Sequence, residues 1–166
     1  MRLIQDGGGS ANNPLAIVER MALGNDWEFS RVVEDEITLA IESRQVNYHV
    51  SFSWMEDIKV LHFACAFEMK VPVARLLQVG QLITNINEKL WIGHFDVWRD
   101  DGLVMFRHSL LLTGGVSTSA HQCEAVLGAA LDCCERYFPA LHLVVWAGKS
   151  VSEAMDLAMF EVAGEA

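Results

Sequence analysis

The residues best suited to chemistry lie in one short run, Leu90-Trp91-Ile92-Gly93-His94-Phe95-Asp96-Val97-Trp98. Read as a strand, its period of two sends Ile92, His94, Asp96 and Trp98 to one face and Gly93, Phe95 and Val97 to the other. The second face is core. The first puts an imidazole, a carboxylate and a large aromatic on one working surface. Asp100-Asp101-Gly102 then marks a tight turn between segments 91–99 and 102–113. Pairing Phe95 with Phe106 and Val97 with Val104 keeps the apolar sides together, which places His94 opposite Arg107 and Asp96 opposite Met105. A carboxylate beside a histidine raises its pKa, so His94, Asp96 and Arg107 form a candidate acid–base set. The same three residues are also the ordinary polar dressing of an exposed sheet face.

Other catalytic signatures are missing from the sequence. Gly114-Gly115 lacks the Lys-Ser/Thr of a phosphate loop, and there is no G-x-S-x-G elbow. The six histidines show no metal-ligand spacing on a helix. A metal site would have to be assembled across strands from His49, His62, His94 and Asp96, so neither a metal nor a cofactor is expected. Cys65, Cys123, Cys133 and Cys134 show no C-x-x-C pair and read as small buried or half-buried hydrophobes.

The aromatic residues say more. Trp54, Trp91, Trp98 and Trp146 stand at or near the ends of expected elements, where a ring is often left partly exposed, and tryptophan is enriched at interface hot spots. The expected partner-binding residues are therefore His94, Asp96, Trp98, Arg107, Trp54 and Trp91, and the expected assembly is a homodimer that also binds another protein. A net charge of −10 repels phosphate backbones and anionic lipid, so neither nucleic acid nor a membrane is an expected partner. No apolar run is long enough to span a bilayer, and residues 1–13 lack the hydrophobic segment of a secretory signal. A cytoplasmic location is expected.

These residues need a scaffold. The length of 166 residues and 52% hydrophobic content suit one globular domain, expected over 13–161, with a glycine-rich leader at 1–12 and a short tail at 162–166. Asn13-Pro14 opens a helix whose stripe is Leu15, Val18, Met21 and Ala22 and which Gly24-Asn25 closes. Strand-like segments follow at 27–33, 36–42, 46–54 and 58–69, joined by short polar connectors as in an antiparallel meander. Pairing Val50 with Phe63 and Phe52 with Leu61 matches their apolar faces and sets Ser51 across from His62. Residues 72–90 read as a helix with Leu76, Leu77, Gly80, Ile83 and Leu90 on its inner side. After the 91–113 hairpin, Ser119 and Gln122 form a capping box. The helix they open carries the stripe Cys123, Val126, Leu127, Ala130, Leu131, Cys134, Phe138, Leu141 and Val145, and continues, kinked, through Pro139. A second capping box, Ser150 with Glu153, opens a last helix to about Phe160. The expected order is α-β-β-β-β-α-β-β-α-α, an α+β fold with helices on one side of an antiparallel sheet.

The sequence resembles the YbjN family of bacterial proteins, often labelled sensory transduction regulators. The likeness rests on Val50-Ser51-Phe52-Ser53-Trp54, on Ile86-Asn87-Glu88-Lys89-Leu90-Trp91-Ile92-Gly93-His94-Phe95-Asp96, and on Val104-Met105-Phe106-Arg107. It extends to Tyr137-Phe138-Pro139-Ala140-Leu141 and Ser150-Val151-Ser152-Glu153-Ala154, and so runs from about Pro14 to Phe160. The family resembles in fold the class I chaperones of type III secretion, small acidic dimers that bind extended segments of a partner. The resemblance implies no catalytic residue set. The function expected is a non-enzymatic regulator or chaperone-like adaptor that binds another polypeptide by strand addition at a sheet edge or by covering the His94/Trp98 face. The alternative is a small-molecule sensor or enzyme with a pocket near His94, Asp96 and Arg107.

Overall fold

A computed structural model describes residues 13–163. The expected leader, 1–12, lies outside them, as does most of the expected tail. The chain forms α1 (Leu15–Gly24), β1 (Phe29–Val33), β2 (Glu36–Ile41), β3 (Tyr48–Met55), β4 (Val60–Lys70), α2 (Leu76–Asn87), β5 (His94–Trp98), β6 (Leu103–Leu111), α3 (Ala120–Val145) and α4 (Val151–Ala163). All strand pairs are antiparallel in one six-stranded sheet of order β1-β2-β3-β4-β6-β5. The element order and the α+β class are those expected from the sequence.

Local chemistry accounts for the helices. The Asn13 side chain accepts from the Leu15 N–H at 2.9 Å, and Leu15, Val18, Met21 and Ala22 are buried. Both capping boxes form. The Ser119 hydroxyl accepts from the Gln122 N–H, and Ser150 and Glu153 satisfy each other's backbone N–H groups. The helix α3 runs through Pro139 as one element, with the expected stripe buried apart from half-buried Leu131. Gly148 has φ +66°, a conformation that suits glycine after the helix has ended.

Alternation accounts for the sheet. In β3, Tyr48, Val50, Phe52 and Trp54 are buried, and in β4 Leu61, Phe63, Cys65, Phe67 and Met69 are buried. Helices cover this side. The ring of Phe67 lies 5.9 Å from Phe138 of α3 and 6.1 Å from Phe95 of β5, both near parallel, while Tyr48 meets it edge-on. Phe95 in turn packs edge-on against Phe106 and Tyr137. Sheet and helices are thus tied together beneath the candidate surface.

Three expectations need correction. The β3–β4 register is Val50 with Cys65 and Phe52 with Phe63, two residues from the expected pairing, and Ser51 faces Ala64 instead of His62. The connector is longer than it reads: Glu56–Ile58 forms a 3₁₀ turn and Lys59 adopts φ +53° before β4 begins. A two-residue slip leaves every side chain on its expected face, so burial alone did not expose it. The helix over 72–90 is shorter, and its inner face is Val79, Leu82, Ile83 and Ile86, with Leu77 71% exposed. Finally, β5 begins at His94, so Trp91 and Ile92 precede the strand instead of alternating within it.

Candidate functional site

Gly93 explains where β5 starts. Its φ is +66°, and a Cβ there would fall 2.2 Å from the Phe106 ring and 2.7 Å from the Arg107 carbonyl. Only glycine allows the chain to turn so close to β6 and then enter the strand. The hairpin register is as expected: His94 with Arg107, Phe95 with Phe106, Asp96 with Met105 and Val97 with Val104. One face of β5 therefore presents His94, Asp96 and Trp98. Trp98 is 48% exposed and Trp91, just before the strand, is 100% exposed.

The polar residues form an ordered chain of contacts. The Arg107 Nη1 donates to Asp96 Oδ2 at 3.0 Å, and both side chains are about a third exposed. The Arg107 Nε donates to His62 Nε2 at 3.2 Å. A histidine that accepts at Nε2 is neutral and carries its proton on Nδ1. Burial pushes the His62 imidazole below its ordinary pKa, and the charge of Arg107 and the neighbouring His94 push it further in the same direction, against a smaller opposing effect of Glu36. Burial, with His94, also lowers His108. His62, Gly93, His94, Arg107, His108 and Ser109 line a shallow hollow of about 340 Å³. Asp96 is not part of its lining, so His94, Asp96 and Arg107 do not converge on one point.

Asp96 is committed on both oxygens. Its Oδ1 accepts from the Val97 N–H at 2.9 Å. On the helix side, the Asn87 side chain donates to the Phe95 carbonyl at 3.0 Å and accepts from the Phe95 N–H at 2.8 Å. Because β5 is an outermost strand, these bonds occupy backbone groups that an added strand would need. The edge beside His94 and Trp98 is thus already closed, and what β5 offers is its side-chain face.

The other expected residues separate. Trp54 is only 5% exposed and lies in the core, its Nε1 donating to Glu56. Trp146, 52% exposed, packs against Phe138 and His142 beside a larger apolar hollow of about 630 Å³ lined also by Val46, Leu143 and Leu157. His108 and Asn87, which the sequence does not point to, lie at the β5–β6 site, and His62, grouped with His94 and Asp96 only as a trial metal set, joins it as the partner of Arg107. Their places depend on β6 lying beside β4 and on α2 ending beside β5, which strand alternation does not reveal. Among the described residues, no three His, Cys, Asp or Glu side chains gather as a metal ion would require, including the trial set of His49, His62, His94 and Asp96. No helix among them is long and apolar enough to cross a membrane.

The family model of YbjN, described as "Putative bacterial sensory transduction regulator", matches residues 14–143. The chain belongs to the YbjN family. No curated protein matches it. Two solved structures share the fold of this YbjN-family chain. One, reported as "Crystal Structure of the ExsC-ExsE Complex", is 16% identical with a TM-score of 0.56, over 74% of this chain and 88% of that one. The other, "Crystal structure of YbjN, a putative transcription regulator from E. coli", is 11% identical with a TM-score of 0.52, over 72% of this chain and 84% of that one. At these identities the likeness speaks to fold alone.

Proposed function

We propose that this YbjN-family chain is a non-enzymatic regulator or chaperone-like adaptor that binds another polypeptide over the face of β5 and β6. Its contact surface would be His94, Asp96, Trp98 and Arg107, with Trp91 at the border. One observation carries the reading: an exposed tryptophan stands on a strand whose edge is sealed, beside an Arg107–Asp96 pair that is already held in place. A rigid aromatic next to a fixed charged pair is how interface anchors are built. The family description, a regulator, and a fold shared with a chain solved in a two-protein complex both favour it. Trp54, buried on β3 with β4 and β6 between it and β5, is not part of this surface. Asp96, bound to Arg107 and to a backbone N–H, is poorly placed to serve as an acid or base, which argues against the enzyme alternative. The reading includes a cytoplasmic location and a homodimer. Light scattering would give about twice the 18.5 kDa chain mass for the dimer.

The test is affinity capture from the native cell lysate with wild type, Trp98→Ala and Trp146→Ala, read by mass spectrometry. The proposal expects one dominant protein with wild type and with Trp146→Ala, and its loss with Trp98→Ala. Equal capture by Trp98→Ala, or no enriched protein, would overturn it.

A further inference from the structure

The hollow beside β6 has a chemistry of its own, whether or not a polypeptide covers the sheet. His62 from β4, His94 from β5, and Arg107 and Ser109 from β6 line it from one face of the sheet, while the side chain of His108, paired with buried Phe63, alternates to the other face. Every one of these side chains can donate a hydrogen bond, and no carboxylate lines the space. That is unusual on a chain of net charge −10. Asp96, which does not line the hollow, is held by Arg107 and the Val97 N–H. Arg107 spends Nε on His62 and Nη1 on Asp96, which leaves further guanidinium N–H donors on a side chain that lines the hollow. The volume, about 340 Å³, suits a group of a few heavy atoms.

We propose that this hollow is a binding site for a small oxyanion, a carboxylate or a phosphate-like group, held by Arg107, His62, His94 and Ser109. Binding would take up a proton. The neutral His62 accepts from Arg107, and a proton arriving on Nε2 would set two donors against each other. An anion between them accepts from both and removes the conflict. The charged groups around His62 are Arg107 with its partner Asp96, His94 on β5 and Glu36 on β2. Of these only Glu36 and Asp96 are acidic. In the free protein burial, and then the charges of Arg107 and His94, press His62 below its ordinary pKa, and a bound anion opposes them.

The test is imidazole NMR of the full chain, titrated with sodium sulfate and, separately, sodium acetate, with sodium chloride at matched ionic strength as control. Both probe anions keep their charge between about pH 6 and 7.5, so any pH effect belongs to the protein. We expect saturable shifts of the His62 and His94 resonances beyond those in chloride, and an affinity about threefold or more higher at pH 6 than at pH 7.5, from uptake of up to one proton. Arg107→Gln and His94→Gln, each checked for a native-like amide spectrum and read at His62, should each abolish or weaken the response. Saturation by sulfate alone would assign a phosphate-like ligand, and saturation by acetate a carboxylate. Shifts no larger than in chloride would overturn the proposal, as would shifts unchanged in both variants.

Discussion

Gly93→Ala should be far more damaging than its one added methyl suggests. The residue sits at φ +66°, where a left-handed backbone costs an alanine about 1–2 kcal/mol. The new Cβ would also lie 2.2 and 2.6 Å from two atoms of the Phe106 ring and 2.7 Å from the Arg107 carbonyl oxygen. Neither neighbour yields easily. Phe106 is fully buried and packs edge-on against Phe95, and the carbonyl belongs to the backbone of a central strand. Overpacking of this kind costs about 1–3 kcal/mol, so the total is about 2–5 kcal/mol. For a domain of this size that corresponds to a fall in Tm of about 4–20 °C. Thermal unfolding followed by circular dichroism would read it, with Gly80→Ala as the control. Gly80 lies inside α2 with nothing within 4 Å of the added Cβ, and alanine there should stabilise by about 0.5–1 kcal/mol. A Gly93→Ala protein that melts within about 2 °C of wild type would refute the argument that β5 starts where it does because of a glycine.

Other consequences follow from the same contacts. Asn87→Ala leaves the N–H and carbonyl of Phe95 without their side-chain partner and should cost about 1–3 kcal/mol in urea unfolding. It should also raise the tendency to self-associate, read by light scattering, because it reopens a strand edge. The lowered pKa values of His62 and His108 set a pH dependence of stability. Their unfolded forms take up protons first, so their contribution is whole above about pH 6.5 and is lost as pH falls through the lower folded values. The urea midpoint should therefore drop between about pH 7.5 and 5.5, and less so in a His62→Gln, His108→Gln double variant. Of the four cysteines, Cys65, Cys123 and Cys134 are buried and only Cys133 is half-exposed. Burial raises the thiol pKa of Cys123, Cys133 and Cys134. An aromatic disulfide reagent should label no more than one thiol in the folded protein, slowly, and all four in denaturant.

Much of this architecture is legible in the residues. Alternation in Tyr48–Trp54 and Leu61–Met69 fixes the buried faces, because only one face can be apolar. Asp100-Asp101-Gly102 marks the hairpin turn, and matching Phe95 with Phe106 and Val97 with Val104 sets the register that places Arg107 across from His94. What alternation cannot fix is a slip of two residues, and so the longer turn at Glu56–Lys59 shifts the β3–β4 pairing unseen. Nor does the order of strands in the chain announce that β6 inserts between β4 and β5. That insertion alone brings His62 to Arg107. The inner face of α2 differs from the expected stripe at Leu77, which the packing leaves exposed while Val79, Leu82 and Ile86 join Ile83 in the core. Asn87 is a polar residue at a helix end, where sequence offers no reason to expect that it holds a strand.

The proposed interface is tested most directly by placing a photo-crosslinking amino acid at position 98 in one sample and at position 146 in another, then irradiating intact cells. Both positions are about half exposed, so reactivity with bulk protein should be alike. The account predicts a discrete crosslinked product from position 98, lost when Arg107→Gln is added, and only diffuse background from position 146. A discrete product from position 146 with none from position 98 would contradict it.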